Sequence, residues 1–391
     1  MPRRRLLAGL GVAATVPVLS ACGPDLLSSA GAASSAKPGA GDVPRTRVAE
    51  TKSPGRGVQR TTFPMTALGI SWIGPQRGLK VRLYDKDGNP GDWQPVNAGC
   101  PCGEDPREPV PTPGSATSRA LVQTKGSFGY QVDAASGVRV VNAIAIDAGI
   151  SALLDTDETS VNPQESPSGT PSSSASPTLT PTLSFPPPGL ITRKKWGADE
   201  SKRFKADGSE NSPTRFFPVQ ALSVHHTVTV NDDPDPAATV RAIYEQHAIS
   251  NDWGDIGYHF LIDAKGRIYE GRFSGDDGVP GHDKEGRIVT AFHTAGFNSG
   301  NVGVALLGDF TKGEQTPAMR KSLIRLLASL AQKHNLDVES DITYTNPVDG
   351  KTKQAPALAG HRDWIPTECP GTTTYADLQA LRGQVAELLA G

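Results

Sequence analysis

The sequence predicts an α/β domain in the C-terminal half of the chain, preceded by a small all-β domain. Residues 63–150 contain short apolar or alternating runs divided by turn signals such as Asp87–Pro90, which is typical of an all-β sandwich. Residues 159–188 are rich in Ser, Thr and Pro, a composition that favours a linker over a packed core. From residue 190 onward strand-like and helix-like patterns are mixed, as they are in α/β domains.

The overall composition excludes several classes of protein. A chain of 391 residues is too long for one compact module. With 37% hydrophobic and 20% charged residues it is neither wholly disordered nor collagen-like. The formal charge is −2, from 39 Lys and Arg against 41 Asp and Glu, so there is no large positive field to hold a phosphate backbone. We therefore expect no nucleic-acid partner.

Residues 1–21 are predicted to be a cleaved export signal. The basic Arg3–Arg5 precede the apolar run Leu6–Leu19, whose 14 residues are fewer than a membrane-spanning helix needs. The segment Leu19–Cys22 resembles a bacterial lipobox, in which Cys22 becomes the lipidated first residue. We expect the mature protein to be anchored by lipid to the outer face of the cytoplasmic membrane or to lie in the wall, with plain secretion as the alternative; export by the twin-arginine or the general route stays open.

The remaining boundaries follow from composition. Residues 22–62 are predicted to be a disordered tether, residues 63–150 an accessory β-sandwich domain and residues 151–189 a linker. Aromatic residues of the β domain, Trp72, Trp93 and Tyr130, could line a sugar platform, but such residues lie more often in a core.

Within residues 190–391, capping and periodicity predict the elements. An Asp or Thr followed by Pro precedes two of the predicted helices, Ala237–Ile249 and one that ends near Asn335. A third helix follows Thr374. Strands are predicted at Ala221–Val228, Gly257–Asp263, Gly266–Gly271, Val302–Leu307 and Leu358–His361.

Two adjacent histidines in the first of these strands are distinguished by its period of two. Leu222 and Val224 share a face with His226, whereas His225 lies on the opposite, polar face. His225 is therefore predicted to face a site, and His226 to pack within the fold.

Downstream, His361 at a strand end precedes Cys369 by eight positions. Together with His225 they would form an N,N,S donor set of the kind that binds catalytic zinc. The alternative is that the histidines are ordinary polar residues and that Cys369 forms a disulfide, for example with Cys100 or Cys102.

Seven stretches, in sequence order, carry a family resemblance: Trp196–Ala198, Val224–Thr227, Asp255–Phe260, Tyr269–Arg272, His293–Gly300, Val302–Val304 and Gly360–Gly371. They resemble the peptidoglycan recognition protein family and the related type 2 N-acetylmuramoyl-L-alanine amidases over roughly residues 190–391. The resemblance implies a zinc amidase domain with a central mixed β-sheet flanked by helices.

The resemblance also implies roles for individual residues. Zinc would be bound by His225, His361 and Cys369, and the catalytic residues would be Tyr258 and Thr367. Three further residues, His293, Asn298 and Ser299, would touch substrate, although a Gly-rich turn of this kind is equally a plain loop.

The function implied is zinc-dependent hydrolysis of the lactyl–L-alanine amide of peptidoglycan by a monomer. The alternative is a non-catalytic peptidoglycan-binding module. Family members of that kind typically replace the zinc cysteine, whereas this chain has Cys369.

Overall fold

The N-terminal strands form one antiparallel sheet. The computed structural model describes residues 45–75, 77–99, 117–149, 183–276 and 279–391, all within one compact unit, Ala40–Gly391. The predictions for the export signal, Cys22, Cys100, Cys102 and most of the tether and linker lie outside these residues. Among the described helices, none combines the length and apolar character needed to cross a membrane.

The all-β prediction for the N-terminal domain is confirmed, and its strands enclose an apolar core of their own. The six strands follow the order β1-β6-β2-β5-β3-β4 in a single sheet. The two longest strands pair with each other and have register shifts near Met65, where β-bulges bend the sheet. Trp72 and Tyr130 are buried in its core. The strands are β1 (Arg47–Lys52), β2 (Gln59–Ile73), β3 (Leu79–Tyr84), β4 (Gln94–Val96), β5 (Thr117–Ala134) and β6 (Arg139–Asp147).

The end of the predicted tether is not disordered, because residues 47–52 form strand β1. This strand pairs with β6 along its whole length, and Arg47 Nε–H donates a hydrogen bond to Asp147 Oδ2 at 2.9 Å. Pairing with an open sheet edge is made by the backbone, so a segment with few apolar residues can take part.

The C-terminal end of the predicted linker is also ordered. Residues from Leu183 onward pack on the α/β domain. The Phe185 ring meets the Phe260 ring edge-on at 5.9 Å and the His282 ring at 5.0 Å. Burying an aromatic ring outweighs the extended preference of the surrounding prolines.

The C-terminal domain is built on a five-stranded mixed sheet, as predicted. Its order is β10-β9-β12-β8-β15; the last four strands run parallel, and β10 pairs antiparallel with β9. Two further pairs, β7–β11 and β13–β14, lie outside this sheet. The strands are β7 (Phe216–Phe217), β8 (Ala221–His226), β9 (Phe260–Ile262), β10 (Ile268–Glu270), β11 (Ile288–Val289), β12 (Asn301–Leu306), β13 (Asp341–Thr345), β14 (Thr352–Pro356) and β15 (Leu358–Gly360).

Helices cover both faces of the mixed sheet. Helices α3 and α6 pack on the face that carries Leu222 and Val224. Helix α2 packs on the opposite face, with Ala305 of β12, the residue that pairs with His225. The helices are α1 (Arg193–Trp196), α2 (Pro236–Glu245), α3 (Pro317–His334), α4 (His361–Trp364), α5 (Thr372–Ala376) and α6 (Leu378–Ala390), with a 3₁₀ turn at Glu200–Arg203 and a π turn, Gln246–Ser250, that continues α2.

The predicted helix starts are confirmed in atomic detail. The Asp235 carboxylate accepts from the Ala238 N–H at 3.0 Å, and Thr316 Oγ1 accepts from the Met319 N–H at 3.1 Å. Each cap is followed by a proline at the start of the helix. Helix α3 ends at Asn335, which adopts the left-handed conformation that Asn tolerates.

Candidate metal centre

Two of the predicted ligands lie at the same edge of the mixed sheet. His225 is near the end of β8, and His361 directly follows the parallel strand β15. The carboxyl ends of parallel strands meet at one edge, which is where α/β proteins bind ligands. The Arg362 N–H donates to the Cys369 carbonyl at 3.1 Å, which closes the loop and returns Cys369 to the same edge.

The three predicted ligands converge. Their donor atoms lie within 4.8 Å of one another, and all three side chains are buried. His225 Nδ1 is 3.7 Å from Cys369 Sγ. Zinc bonds of about 2.0 Å to nitrogen and 2.3 Å to sulfur at tetrahedral angles put those atoms about 3.6 Å apart. The donor set and its spacing therefore fit zinc, and Cys369 is a free thiol.

A chain of hydrogen bonds sets the tautomer of His225. The Asn301 carbonyl lies 2.9 Å from His293 Nε2 and can only accept, so this nitrogen carries the proton. His293 Nδ1 must then accept from His225 Nε2–H, at 3.0 Å. A neutral His225 consequently presents the Nδ1 lone pair to Cys369 and His361.

Burial sets the protonation of the cluster. It lowers the pKa of His225 well below its ordinary value, and repulsion from His361 and His293 adds to the effect. The imidazole is therefore neutral, as a metal ligand must be. Burial raises the pKa of the Cys369 thiol, so a bound cation would favour the thiolate. The His226 N–H, 3.4 Å from Sγ, would donate to it.

His226 makes the fold contacts that the period of two predicts. Its Nδ1 accepts from the Phe310 N–H at 3.1 Å, and Asp309 Oδ1 is 3.8 Å away. Burial lowers the pKa of His226 to about 4, against the opposing influence of Asp309. His226 is thus a neutral hydrogen-bond acceptor on the other side of the strand.

The two predicted catalytic residues lie beside the cluster. The centroid of the Tyr258 ring is 5.5 Å from that of His225, and burial raises the pKa of the phenol well above 10, with a further rise from Cys369. Tyr258 therefore keeps its proton and can donate a hydrogen bond. Thr367 Oγ1 accepts from the Cys369 N–H at 3.2 Å, which leaves its hydroxyl proton available for another acceptor.

The three predicted substrate contacts, His293, Asn298 and Ser299, are buried in this structure. The Asn298 side-chain oxygen accepts from the His293 N–H at 2.8 Å and from the Thr294 N–H at 2.7 Å. Asn298 thus holds the backbone of the Gly-rich turn beside His293. Substrate contact by these three residues stays a prediction.

Sequence reasoning missed the supporting roles of Asn301 and His247. Asn301 acts through its carbonyl, which no side-chain pattern reveals. His247 packs on Tyr258, with ring centroids 5.6 Å apart, and its Nδ1 accepts from the Gly257 N–H at 3.0 Å. Burial lowers the pKa of His247 to about 3, and the charge of Arg119 adds to this.

Protonation of His247 makes stability depend on pH. Since its folded pKa lies below the value of about 6.5 in an unfolded chain, the unfolded state binds more protons in mildly acidic solution. The stabilisation is complete above about pH 6.5 and is lost as pH falls toward the folded pKa. We expect the free energy of unfolding of metal-free protein to fall by about 1.6 kcal/mol for this group between pH 6.5 and pH 5.

Urea unfolding at the two pH values measures this loss. The variant His247→Gln should show a smaller pH dependence than the parent protein. If both proteins lose the same free energy of unfolding between the two pH values, His247 is not responsible for the loss.

Comparison with known proteins shows that about half of the chain is similar to amidases and peptidoglycan-recognition proteins. Residues 215–372 match the family model for N-acetylmuramoyl-L-alanine amidase. The chain is 27% identical to peptidoglycan-recognition protein 2 of Holotrichia diomphalia over 199 residues, which is 50% of this chain and 86% of that protein. It is 29% identical to a human N-acetylmuramoyl-L-alanine amidase over 192 residues, 48% of this chain but only 27% of the human protein. Among solved structures, wild-type Drosophila PGRP-LB is 26% identical with a TM-score of 0.35, covering 49% of this chain and 92% of that one.

Proposed function

We propose that this chain, whose C-terminal domain belongs to the N-acetylmuramoyl-L-alanine amidase family, is a zinc-dependent enzyme that hydrolyses the amide between the lactyl group of N-acetylmuramic acid and L-alanine in peptidoglycan. The observation that supports it is the buried His225, His361 and Cys369 cluster. The chemistry that zinc supplies in sites of this kind is Lewis-acid activation of a carbonyl and of a water molecule.

The residues around the cluster suit an amide hydrolase. Attack on an amide carbonyl places negative charge on its oxygen, and donors fixed near that oxygen stabilise the transition state. Tyr258 is positioned by His225 and His247 and keeps its proton. Thr367 lines the cavity next to Cys369 and supplies a second hydroxyl. Both would donate to the developing oxyanion.

A receptor that binds peptidoglycan without cleaving it is the alternative. The complete N,N,S set argues against this alternative, because a receptor has no need for a buried thiol 3.7 Å from His225 Nδ1. The two functions differ in their products, since only the enzyme generates a free L-alanine amino terminus.

The test is mass analysis of muropeptides incubated with the purified full chain. We expect each cleaved muropeptide to yield a glycan and a peptide whose masses sum to the substrate plus one water. A zinc chelator should stop the reaction, and added zinc should restore it. Zinc-loaded protein that binds muropeptides and leaves them intact would establish the receptor instead.

We also propose that the mature protein is held at the membrane by lipid on Cys22. The support is the lipobox-like segment Leu19–Cys22 at the end of an apolar run too short to span a bilayer. Several acyl chains at one cysteine give stable anchoring. Wild-type protein and a Cys22→Ala variant should be expressed in a bacterial host with a fatty-acid analogue. We expect label and membrane association only in the wild type; unlabelled protein in the medium for both forms would contradict the anchor.

A further inference from the structure

The N-terminal β domain forms one side of a cavity that Cys369 of the candidate metal centre also lines. This cavity has a volume of about 310 Å³ and is lined on the α/β side by Thr367, Glu368 and Cys369, among others. Its opposite side is formed by β-domain residues, including Arg77, Asn97 and Gly99. A ligand that reaches Cys369 from this cavity therefore passes the β domain.

A second, smaller cavity shares Gly99 with the first and is lined by Tyr258. It is lined by Gly99 and Arg119 of the β domain, and by Thr227, Trp253 and Tyr258 of the α/β domain. The Gly99 N–H donates to the Arg119 carbonyl at 2.6 Å, so these two β-domain residues of the lining contact each other. We call Arg77, Asn97, Gly99 and Arg119 the β-domain wall.

Polar contacts fix the β domain to the helix that borders the site. Gln123 donates to Thr239 Oγ1 at 2.8 Å and accepts from the Val230 N–H at 2.9 Å. Gln246 donates to the Ala120 carbonyl at 3.0 Å, one residue from Arg119. The Gln246–Ala120 bond is buried and the Gln123–Thr239 bond is partly buried, so breaking these two would leave polar groups without partners.

Apolar packing also stabilises the contact between the β domain and helix α2. A single apolar cluster contains Ala67, Leu121 and Ile146 of the β domain and Val240 and Ile243 of helix α2. Separating the domains would expose this surface to water, at a cost of roughly 25 cal/mol per Å². The junction beside the β-domain wall is therefore stabilised by apolar burial as well as by hydrogen bonds.

The charge of the cavity lining differs from that of the chain. Of the residues that the structure describes, three basic side chains line the two cavities, Arg77, Arg119 and Lys312, against one acidic side chain, Glu368. The whole chain, by contrast, carries −2. Arg77 pairs with Glu368 at 3.1 Å, and both side chains are largely exposed. The net positive lining favours an anionic ligand.

We propose that the β-domain wall is a substrate-recognition element that binds carboxylates of the peptide portion of the ligand. This inference rests on the proposed function for the identity of the ligand, a peptide attached to N-acetylmuramic acid. Arg77 and Arg119 supply charged hydrogen-bond donors, and Arg can bind a carboxylate through two parallel N–H groups. The β domain thereby selects acidic peptides over neutral ones.

Binding of a soluble muropeptide to the full chain tests the proposal without depending on catalysis. The dissociation constant is measured for one muropeptide with free carboxylates and for the same compound with its carboxylates amidated. We expect Arg119→Ala and Arg77→Ala each to weaken binding of the acidic form several-fold, with little effect on the amidated form.

Two further variants separate recognition from folding. Glu368→Gln removes the acidic side chain that lines the cavity among the described residues. It should tighten binding of the acidic form several-fold, an effect that structural damage would not produce. Arg139→Ala is the matched control, because Arg139 lies in the β domain at a cavity whose lining includes no residue of the α/β domain. It should leave both dissociation constants unchanged.

The outcomes distinguish this inference from the proposed function. Equal loss of affinity for both ligands, or none, in the Arg77 and Arg119 variants would overturn the role of the β-domain wall even if the protein cleaves muropeptides. A wild-type chain that fails to bind the acidic muropeptide would also overturn it. The predicted pattern in a chain that does not cleave would support the wall and reject the enzyme.

Discussion

Replacing Cys369 by Ser is expected to abolish both zinc binding and muropeptide cleavage. Serine keeps nearly the same volume at this buried position but offers no thiolate to complete the N,N,S set. A catalytic metal contributes several kcal/mol of transition-state stabilisation, so the rate should fall on the order of 10³-fold or more. Zinc content and the rate of product formation are measured on the same preparation.

Two controls belong with this variant. Thr367→Ala changes a neighbouring residue in the same loop and should retain zinc, because Thr367 is not among the three ligands. Muropeptide binding by Cys369→Ser should largely survive, since the β-domain wall and the cavity lining are unchanged. Full zinc content in Cys369→Ser would remove Cys369 from the ligand set.

Replacing His225 by Ala should be as damaging as the loss of Cys369, whereas His226→Ala should act mainly on stability. His225 Nδ1 faces the cluster, so its removal takes away a ligand and the rate should again fall about 10³-fold or more. His226 instead accepts from the Phe310 N–H. Leaving that buried donor without a partner should lower the free energy of unfolding by about 1–3 kcal/mol.

Zinc content and urea unfolding of the two histidine variants decide the assignment. The adjacent positions make this a closely matched pair, because the residue type and strand are shared. Zinc loss confined to the His226 variant would mean that the register assigned to β8 is wrong.

The candidate ligands could be predicted because their signals are local or ordered along the chain. The period of two selected His225 from one strand, and the family motifs supplied Tyr258 and Thr367 beside it. The capping residues Asp235 and Thr316 likewise located helix starts to within a residue. In each case the physical cause lies within a few positions of the residue concerned.

Features that depend on distant contacts were not predictable in this way. Strand β1 forms because β6, almost 100 positions later, offers an edge to pair with. The hydrogen bonds of His293 to the Asn301 carbonyl and to His225 likewise depend on how separate segments pack. The β-domain wall arises from packing between two domains, which neither domain's sequence reveals alone.

The most direct test of the central claim is the zinc content and zinc coordination of the purified full chain. Elemental analysis combined with X-ray absorption at the zinc edge gives both. The proposed site predicts one zinc per chain with a single sulfur ligand at about 2.3 Å and nitrogen or oxygen ligands at about 2.0–2.1 Å. Folded protein that takes up no zinc, or zinc whose first shell contains no sulfur, would contradict the assignment of His225, His361 and Cys369.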